Sequence, residues 1–341
     1  MTRPGFLMAA LALPLAATAH HSRAPFLLDE TMQIEGVVTE VNWGNPHLYL
    51  EVSVLNDLGG EFLWTFEGHS VPGLVRNGWA RDSVEVGDSV MIVANPNSDP
   101  QTRFALLDSV TTADGSTFYS FRRPEGQSGT PTRIEPSTDF SGTWRVVRAL
   151  REALIGPGFD APTDWPVTEL GQAQLDQYDA ADNPRFDCIP ASSPGIIFAA
   201  YGFLWTRSDD RIVVTKEHSR QVRVLHLDDA PPPADYERNS LGYSVAHIAS
   251  DGALVVETSN YSPTRWGNIR GIDSSEQKRV TERYQLTNGG LNMDVSYTIE
   301  DPVYLTRPKT VAREYRKVAD YDFPADPPCD TATSQRHLEF E

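Results

Sequence analysis

The sequence predicts a mainly β protein in which a small OB-like barrel precedes a larger antiparallel β-sandwich or barrel. Short segments rich in β-branched and aromatic residues recur along the 341 residues, and turn pairs such as Asp114-Gly115 and Asp251-Gly252 separate them. Residues 123–138 are rich in Pro, Gly, Ser and Thr, lack hydrophobic periodicity and are typical of a linker. We therefore expect two domains, at 20–122 and 139–341.

The first 19 residues have the order of regions that is typical of a secretory signal peptide. Arg3 precedes an apolar run at 6–13, and the segment ends in the small residues Ala17-Thr18-Ala19. The run is shorter than the roughly 20 residues that span a bilayer, so a retained membrane anchor is the weaker interpretation. We expect cleavage after Ala19, a periplasmic or secreted protein, and no transmembrane segment.

The first domain has the element order of an OB-type barrel, in which three strands, a helix and two further strands close on themselves. Alternating apolar and polar residues predict the strands, and an apolar stripe at Leu74 and Val75 predicts the helix. The strands are predicted at 34–41, 47–54, 61–66, 89–93 and 104–112, and the helix at 71–80.

The second domain is predicted to begin with helices at 145–155 and 168–178, the latter capped by Thr168. A mainly antiparallel sheet follows, and it wraps into a sandwich or a barrel. Within it, Glu282-Arg283-Tyr284 is predicted to be an ion-paired structural element rather than a site. The strands are predicted at 196–205, 211–216, 221–227, 244–248, 254–259, 278–286, 291–299 and 311–315.

The charge of the chain limits its partners. The formal net charge is -18, and removal of Arg3 with the signal segment makes it -19. Such a charge repels phosphate backbones, so we expect no nucleic-acid partner. A metal ion or a small molecule is the expected ligand, and the sequence indicates no particular protein partner.

Common catalytic motifs are missing from the sequence. It contains no HExxH, CxxC, Gly-x-Ser-x-Gly, GxGxxG or P-loop pattern, so it assigns no catalytic residue and no nucleotide cofactor. The two cysteines, Cys188 and Cys329, suit an oxidising compartment and predict one disulfide that pins the C-terminal segment. Free thiols or a role in metal binding are the alternatives.

Several short motifs carry a resemblance to known families. The arrangement Ala19-His20-His21-Ser22, then Trp43-x-Asn45-Pro46-His47, resembles a family of secreted bacterial proteins of unknown function. The later part, with Cys188-x-Pro190 and Asp251-Gly252-x-Leu254, resembles a second uncharacterised β-rich module. These resemblances imply a domain layout and no established activity.

Cleavage after Ala19 makes His20 the first residue of the mature chain. Its α-amine and imidazole can chelate one copper ion, and Cu(II) favours nitrogen-rich tetragonal sites. His47 and His69 are the candidate third ligands, and His21 is a less favoured one. In the alternative interpretation, Asn45-Pro46-His47 is a turn with a hydrogen-bonded histidine and His20 is an ordinary terminus.

Three functions remain open from the sequence alone. The first is binding of copper or a small ligand at the mature N-terminal histidine. The second, from another class, is an enzyme that acts on a small organic molecule held in the C-terminal β domain. The third is a non-catalytic interaction module of an envelope complex.

Overall fold

A computed structural model describes residues 25–55, 59–121, 134–147, 164–193, 195–198, 201–217, 219, 221–323 and 327–340. Two β barrels follow one another along this chain, which confirms the predicted mainly β class. The expected signal segment, His20, His21 and most of the predicted linker lie outside the described residues.

The first barrel, called here the small barrel, contains the five predicted strands and the helix in the predicted order, and a short sixth strand extends its sheet. Its sheet has the strand order β3-β2-β1-β4-β5-β6, and a parallel pairing of β3 with β5 closes it. The elements are β1 (Met32–Asn42), β2 (Tyr49–Leu55), β3 (Glu61–Glu67), α1 (Val71–Arg76), β4 (Ser89–Asn95), β5 (Phe104–Thr112) and the short β6 (Thr117–Tyr119).

The interior of the small barrel is apolar. Val38, Leu50, Phe66 and Ile92 are at most 1% exposed, and each lies on a different strand. Alternation along the strands directs these side chains inward and polar ones outward. The helix α1 is shorter than the predicted 71–80, because Gly78 adopts a φ of 95° that does not continue a helix.

The second barrel, called here the large barrel, closes through nine strands, so the barrel replaces the sandwich alternative. Its one parallel pair joins β10 to β11, and the other pairs are antiparallel. The strands are β7 (Gly142–Val146), β8 (Phe203–Arg207), β9 (Arg211–Lys216), β10 (Val222–His226), β11 (Tyr243–Ile248), β12 (Leu254–Ser259), β15 (Arg279–Thr287), β16 (Asn292–Glu300) and β17 (Lys309–Val318). A separate hairpin consists of β13 (Thr264–Ile269) and β14 (Ile272–Ser274).

Two predicted elements of the second domain are wrong in part. The predicted helix at 145–155 begins inside β7, because pairing with β8 and β17 overrides the local helical pattern, and 148–155 lies outside the described residues. The predicted strand at 196–205 begins with a 3₁₀ turn, Gly195–Phe198, since an apolar run alone does not distinguish strand from helix. The helix predicted at 168–178 is confirmed as α2 (Glu169–Leu175), capped by Thr168.

A C-terminal segment, called here the tail (327–340), contacts the small barrel and the segment of the second domain that precedes β8. Cys329 forms a disulfide with Cys188, and α3 (Thr331–Gln335) continues into a 3₁₀ turn, Arg336–Phe340. Arg336 donates to Glu40 at 2.8 Å and to Glu51 on the small barrel. On the other side, Ser334 Oγ donates to the Arg185 carbonyl at 3.1 Å.

The barrels also meet directly. Arg76, at the end of α1, forms an ion pair with Glu217, whose side chain is fully buried beside the end of β9. Glu217 additionally accepts the Gly202 N–H at 2.8 Å. Within the described ranges, no helix is long and apolar enough to cross a membrane.

Candidate functional site

The two described histidines of the predicted copper site lie on neighbouring segments of the small barrel. His47 stands two residues before β2, and His69 stands two residues after β3. Backbone hydrogen bonds join these segments, from Leu48 N to His69 O at 3.1 Å and from Gly68 N to Leu48 O at 2.8 Å. Continued pairing of β2 with β3 therefore brings the two histidine positions next to each other.

The hydrogen bonds of His47 define its tautomer. Its Nδ1 lies 3.1 Å from the Gly68 carbonyl oxygen and 3.4 Å from Glu67 Oε1. A carbonyl oxygen only accepts, so Nδ1 carries the hydrogen and the neutral ring has its lone pair on Nε2. Metal-binding histidines are commonly oriented by this type of bond. His47 therefore has the orientation that a ligand through Nε2 requires.

The hydrogen bonds of His69 indicate the other tautomer. Its Nδ1 accepts the Ser70 N–H at 2.7 Å, so the hydrogen of the neutral ring belongs on Nε2. The ring also packs against Phe121 with centroids 5.2 Å apart. Of the two candidate third ligands, His47 is consequently the better suited.

A third histidine, which the sequence did not single out, lies near His47. His337 in the tail is 3% exposed and meets Phe186 edge-on at 4.7 Å. Burial and, secondly, the charge of His47 lower the pKa of His337 to about 3, so its ring is neutral at physiological pH. In the described part of the chain, no three His, Cys, Asp or Glu side chains are grouped to hold a metal, and the copper set with His20 stays a prediction.

The interior of the large barrel contains a buried ion pair. Arg223 on β10 and Glu282 on β15 form a two-pronged contact, with Nη1 to Oε2 at 2.9 Å and Nη2 to Oε1 at 2.7 Å. Arg223 also donates from Nε to Ser244 Oγ at 3.0 Å and from Nη2 to Thr258 Oγ1 at 2.7 Å. Glu282 is 0% exposed and Arg223 7% exposed. Such a bidentate contact fixes the guanidinium plane.

A row of phenols extends from this pair. The Tyr284 hydroxyl donates to Glu282, and the Tyr297 hydroxyl lies 3.3 Å from that of Tyr284. The Tyr315 hydroxyl is hydrogen-bonded to Tyr297 in turn. Burial raises the pKa of all three phenols above the usual value for tyrosine, so they are neutral at physiological pH.

Next to this network lies a cavity of about 20 Å³. This volume accommodates about one water molecule, so a larger ligand requires lining side chains to move. The lining residues come mostly from β8, β9 and β15–β17, and they combine apolar, phenolic and basic side chains: Ile196, Phe203, Trp205, Val214, Lys216, Arg223, Tyr284, Tyr297 and Tyr315.

A buried lysine lies behind the network and outside the cavity lining. Lys278 Nζ donates to Ser192 Oγ at 3.2 Å, to Gly267 O at 2.6 Å and to Ser193 O, and it lies 4.5 Å from the centre of the Tyr261 ring. Burial lowers the pKa of Lys278 to about 7, partly offset by Asp301. Through these hydrogen bonds Lys278 joins residues 192–193 to β13, which is a structural role.

Sequence reasoning missed most of this interior. The sequence predicts an ion-paired element at Glu282-Arg283-Tyr284. In the structure Arg283 points outward to Asp251. The partner of Glu282 is instead Arg223. A signal was present: Arg223 shares its face of β10 with Leu225, which is 0% exposed. A basic residue in phase with a core leucine indicates an inward charge.

Comparison with known families concerns the small barrel. Residues 9–104 match the model of a family of unknown function, DUF6152. The matched region includes His47 and His69 and ends at the first residue of β5. No curated protein matches the chain.

Proposed function

We propose that the large barrel binds a small organic molecule in its interior. The observation that carries this proposal is the buried Arg223–Glu282 pair beside a cavity lined by aromatic and basic side chains. The interior of a closed barrel of about eight strands is either filled by side chains or holds one small ligand, and the large barrel has nine strands. Among the described residues of the small barrel, the buried cluster consists of apolar side chains.

Stability alone gives little reason to retain the pair. Removing two charges from water costs several kcal/mol per ion, and apolar pairs of similar volume are often equally stable or more stable. Perturbed ionisable groups that are buried around a cavity are more typical of functional sites. A binding function supplies the reason, because the pair and the phenols orient a polar end of the ligand while the apolar walls contact its body.

Binding is favoured over catalysis by the groups that reach the cavity. Among the described residues, its lining contains no serine, cysteine, histidine or carboxylate, and its three phenols are neutral because burial raises the pKa of each. Lys278, the group with the most suitable pKa, lies outside this lining. The enzyme alternative therefore has no assigned catalytic residue.

Tryptophan fluorescence tests the proposal, because Trp205 lines the cavity. The full chain is titrated with benzoate, benzyl alcohol, butyrate and 1-butanol, and Trp205→Phe identifies the origin of the signal. Val214→Phe fills the cavity, whereas Val213→Phe adds the same ring to the outer face of β9 and is the matched control.

We expect saturable binding of at least one probe by the wild type and by Val213→Phe, and its loss in Val214→Phe. Failure of all four probes to bind, or equal binding by Val214→Phe, contradicts the proposal. Circular dichroism of each variant checks that the barrel is folded.

Copper binding at His47 is the second candidate, because Gly68 and Glu67 orient the His47 ring with its lone pair on Nε2. The test uses copper titration and electron paramagnetic resonance on protein secreted with its own leader, beside protein with one extra residue before His20. We expect a tight nitrogen-ligated signal from the native terminus only, lost in His47→Ala and retained in His247→Ala. Equal binding by His47→Ala contradicts this candidate.

A further inference from the structure

The strands β10, β11 and β15 begin at the same end of the large barrel. The pairing of β10 with β11 is parallel, so these two strands run in one direction. The strand β12 is antiparallel to β11 and to β15, so β15 runs in that direction as well. Residues that stand just before these three strands therefore meet at one end of the barrel, although they are distant in sequence.

Three side chains attach residues 191–193 to this end. Gln221, directly before β10, donates from its amide to the first carbonyl oxygen of the segment at 3.1 Å. Ser192 Oγ donates at 2.6 Å to the carbonyl oxygen of Ser240, which lies shortly before β11. Lys278, directly before β15, donates to Ser192 Oγ at 3.2 Å. The segment therefore lies across the end at which these strands begin.

The side chain of Ile196 extends from this segment to the cavity. Its backbone N–H donates to the Ser192 carbonyl oxygen at 2.9 Å, and the residue is 5% exposed. Among the described residues, the other lining side chains all stand on barrel strands. Two of them, Phe203 at the start of β8 and Lys216 at the end of β9, belong to the same end, because β9 is antiparallel to β8 and to β10. Ile196 therefore closes the cavity at this end of the barrel.

Ile196 is also the part of the lining that can yield to a ligand. The cavity of about 20 Å³ holds about one water molecule, so a larger ligand must displace lining side chains. Displacement of a barrel strand breaks backbone hydrogen bonds to its neighbours, and buried backbone groups without partners cost free energy. Ile196 belongs to no strand, so a change of its rotamer or a small shift of its turn leaves the barrel intact.

We propose that Ile196 determines the length of the ligand that the large barrel accepts. This inference rests on the proposed binding function and adds the residue that sets its size selectivity. The ligand that it implies has a short apolar end, which contacts the Ile196 side chain. Truncation of a buried apolar side chain leaves a cavity that apolar groups can enter, so a shorter side chain at this position should admit a longer ligand.

A series of linear alcohols from methanol to 1-octanol tests the proposal, because they share one hydroxyl group and differ only in the length of the carbon body. Affinities are taken from Trp205 fluorescence of the full chain, with Trp205→Phe to identify the signal. The variants are Ile196→Val and Ile196→Ala, and the matched control is Ile272→Ala. Ile272 is a fully buried isoleucine of β14 outside the cavity lining, so the same truncation is made elsewhere in the same core.

We expect wild-type affinity to rise about fourfold with each methylene group up to a limiting length and to fall beyond it. Ile196→Val should extend this limit by about one carbon and Ile196→Ala by about two or three, because each removes side-chain carbons at the end of the cavity. Ile272→Ala should keep the wild-type limit. Retained binding of the short alcohols shows that each variant is folded.

The remaining outcomes separate this inference from the binding function. An unchanged limit in both Ile196 variants overturns the inference and leaves the proposed binding function standing. An equal extension in Ile272→Ala also overturns it, because the added space would then not be specific to this end of the barrel. If Ile196→Ala does not fold, the limit of Ile196→Val decides. Absence of saturable binding by the wild type, with these alcohols and with the earlier probes, overturns both proposals.

Discussion

In the small barrel, inward positions hold side chains such as Val38, Leu50 and Ile92, whereas in the large barrel they also hold Arg223 and Glu282. The number of strands explains part of this difference. Five strands enclose a space that holds a cluster of apolar side chains, while nine enclose more, because the diameter of a barrel grows with its strand number. The larger interior can admit polar groups and a cavity.

The candidate sites of the two barrels therefore lie in different places. The interior of the small barrel holds a cluster of apolar side chains, and its candidate ligand His47 lies half-buried outside that cluster, near the tail. The large barrel has its chemistry inside. Four changes test this contrast, from the largest expected effect to the smallest.

Breaking the buried pair should have the largest effect. Glu282→Leu leaves the Arg223 charge buried without its carboxylate, and we expect the free energy of unfolding to fall by about 3–5 kcal/mol. The double variant Arg223→Met/Glu282→Leu should regain most of that loss, because it removes both charges. Urea denaturation followed by fluorescence measures both values. A double variant as unstable as the single one would show that the pair is needed for packing rather than for function.

Removing the disulfide should come next. Cys188→Ala/Cys329→Ala opens a covalent loop with a sequence separation of 141 residues, and we expect a loss of about 2–5 kcal/mol in the free energy of unfolding. A reducing agent should destabilise the wild type by a similar amount and leave the double variant unchanged. Equal stability of oxidised and reduced wild type would contradict the expectation.

Acidification should destabilise the folded protein through His337, a buried residue of the tail. Its folded-state pKa of about 3 lies below the ordinary value of 6.5, so the unfolded chain binds the proton first as pH falls. Stability is therefore lost from about pH 6.5 down to about pH 3, by at most about 1.4 kcal/mol per pH unit. His337→Phe should show a shallower decline in this window. Identical slopes for the two proteins would exclude His337 as the cause.

The smallest effect on stability is expected at Arg283, the residue that follows Glu282 in the sequence. Arg283 is the neighbour of Glu282 on β15, but it points outward to Asp251 in an exposed ion pair. Exposed pairs of this kind are screened by solvent and contribute little. Arg283→Ala should leave the urea midpoint within experimental error of the wild type, and a marked shift would show that the outer face of β15 also contributes to stability.

Local patterns were sufficient for most strands. In the small barrel, the predicted strand at 34–41 lies within β1, and the predicted strand at 104–112 coincides with β5, since alternation on a half-buried strand is a local property. Closure of the large barrel could not be predicted from local patterns. It depends on the pairing of β7 with β17, which are far apart in sequence, and on the parallel pairing of β10 with β11.

The candidate site was harder to predict for a related reason. Alternation in Val222-Arg223-Val224 favours the valines as the inward residues, yet Val222 is 53% exposed and Arg223 is 7% exposed. A shift of one residue reverses the face assigned to every residue of a strand, so the pattern of Val222 to Val224 by itself does not determine which face is inward. In the structure Arg223 lies on the same face as the buried Leu225 and pairs with Glu282. The sequence contains both residues but not their distance.

The tail has a consequence for any attempt to divide the protein. Each barrel closes its own hydrogen-bonded edges, so cutting the chain in the predicted linker looks harmless. The fragment with the small barrel would nevertheless lose Arg336 from above the Tyr49 ring and Phe340 from its stack on Phe104 at 4.4 Å. The aromatic surface left bare would favour self-association. The two barrels should therefore be expressed as one protein, because the tail contacts the small barrel and is covalently joined to the second domain at Cys188.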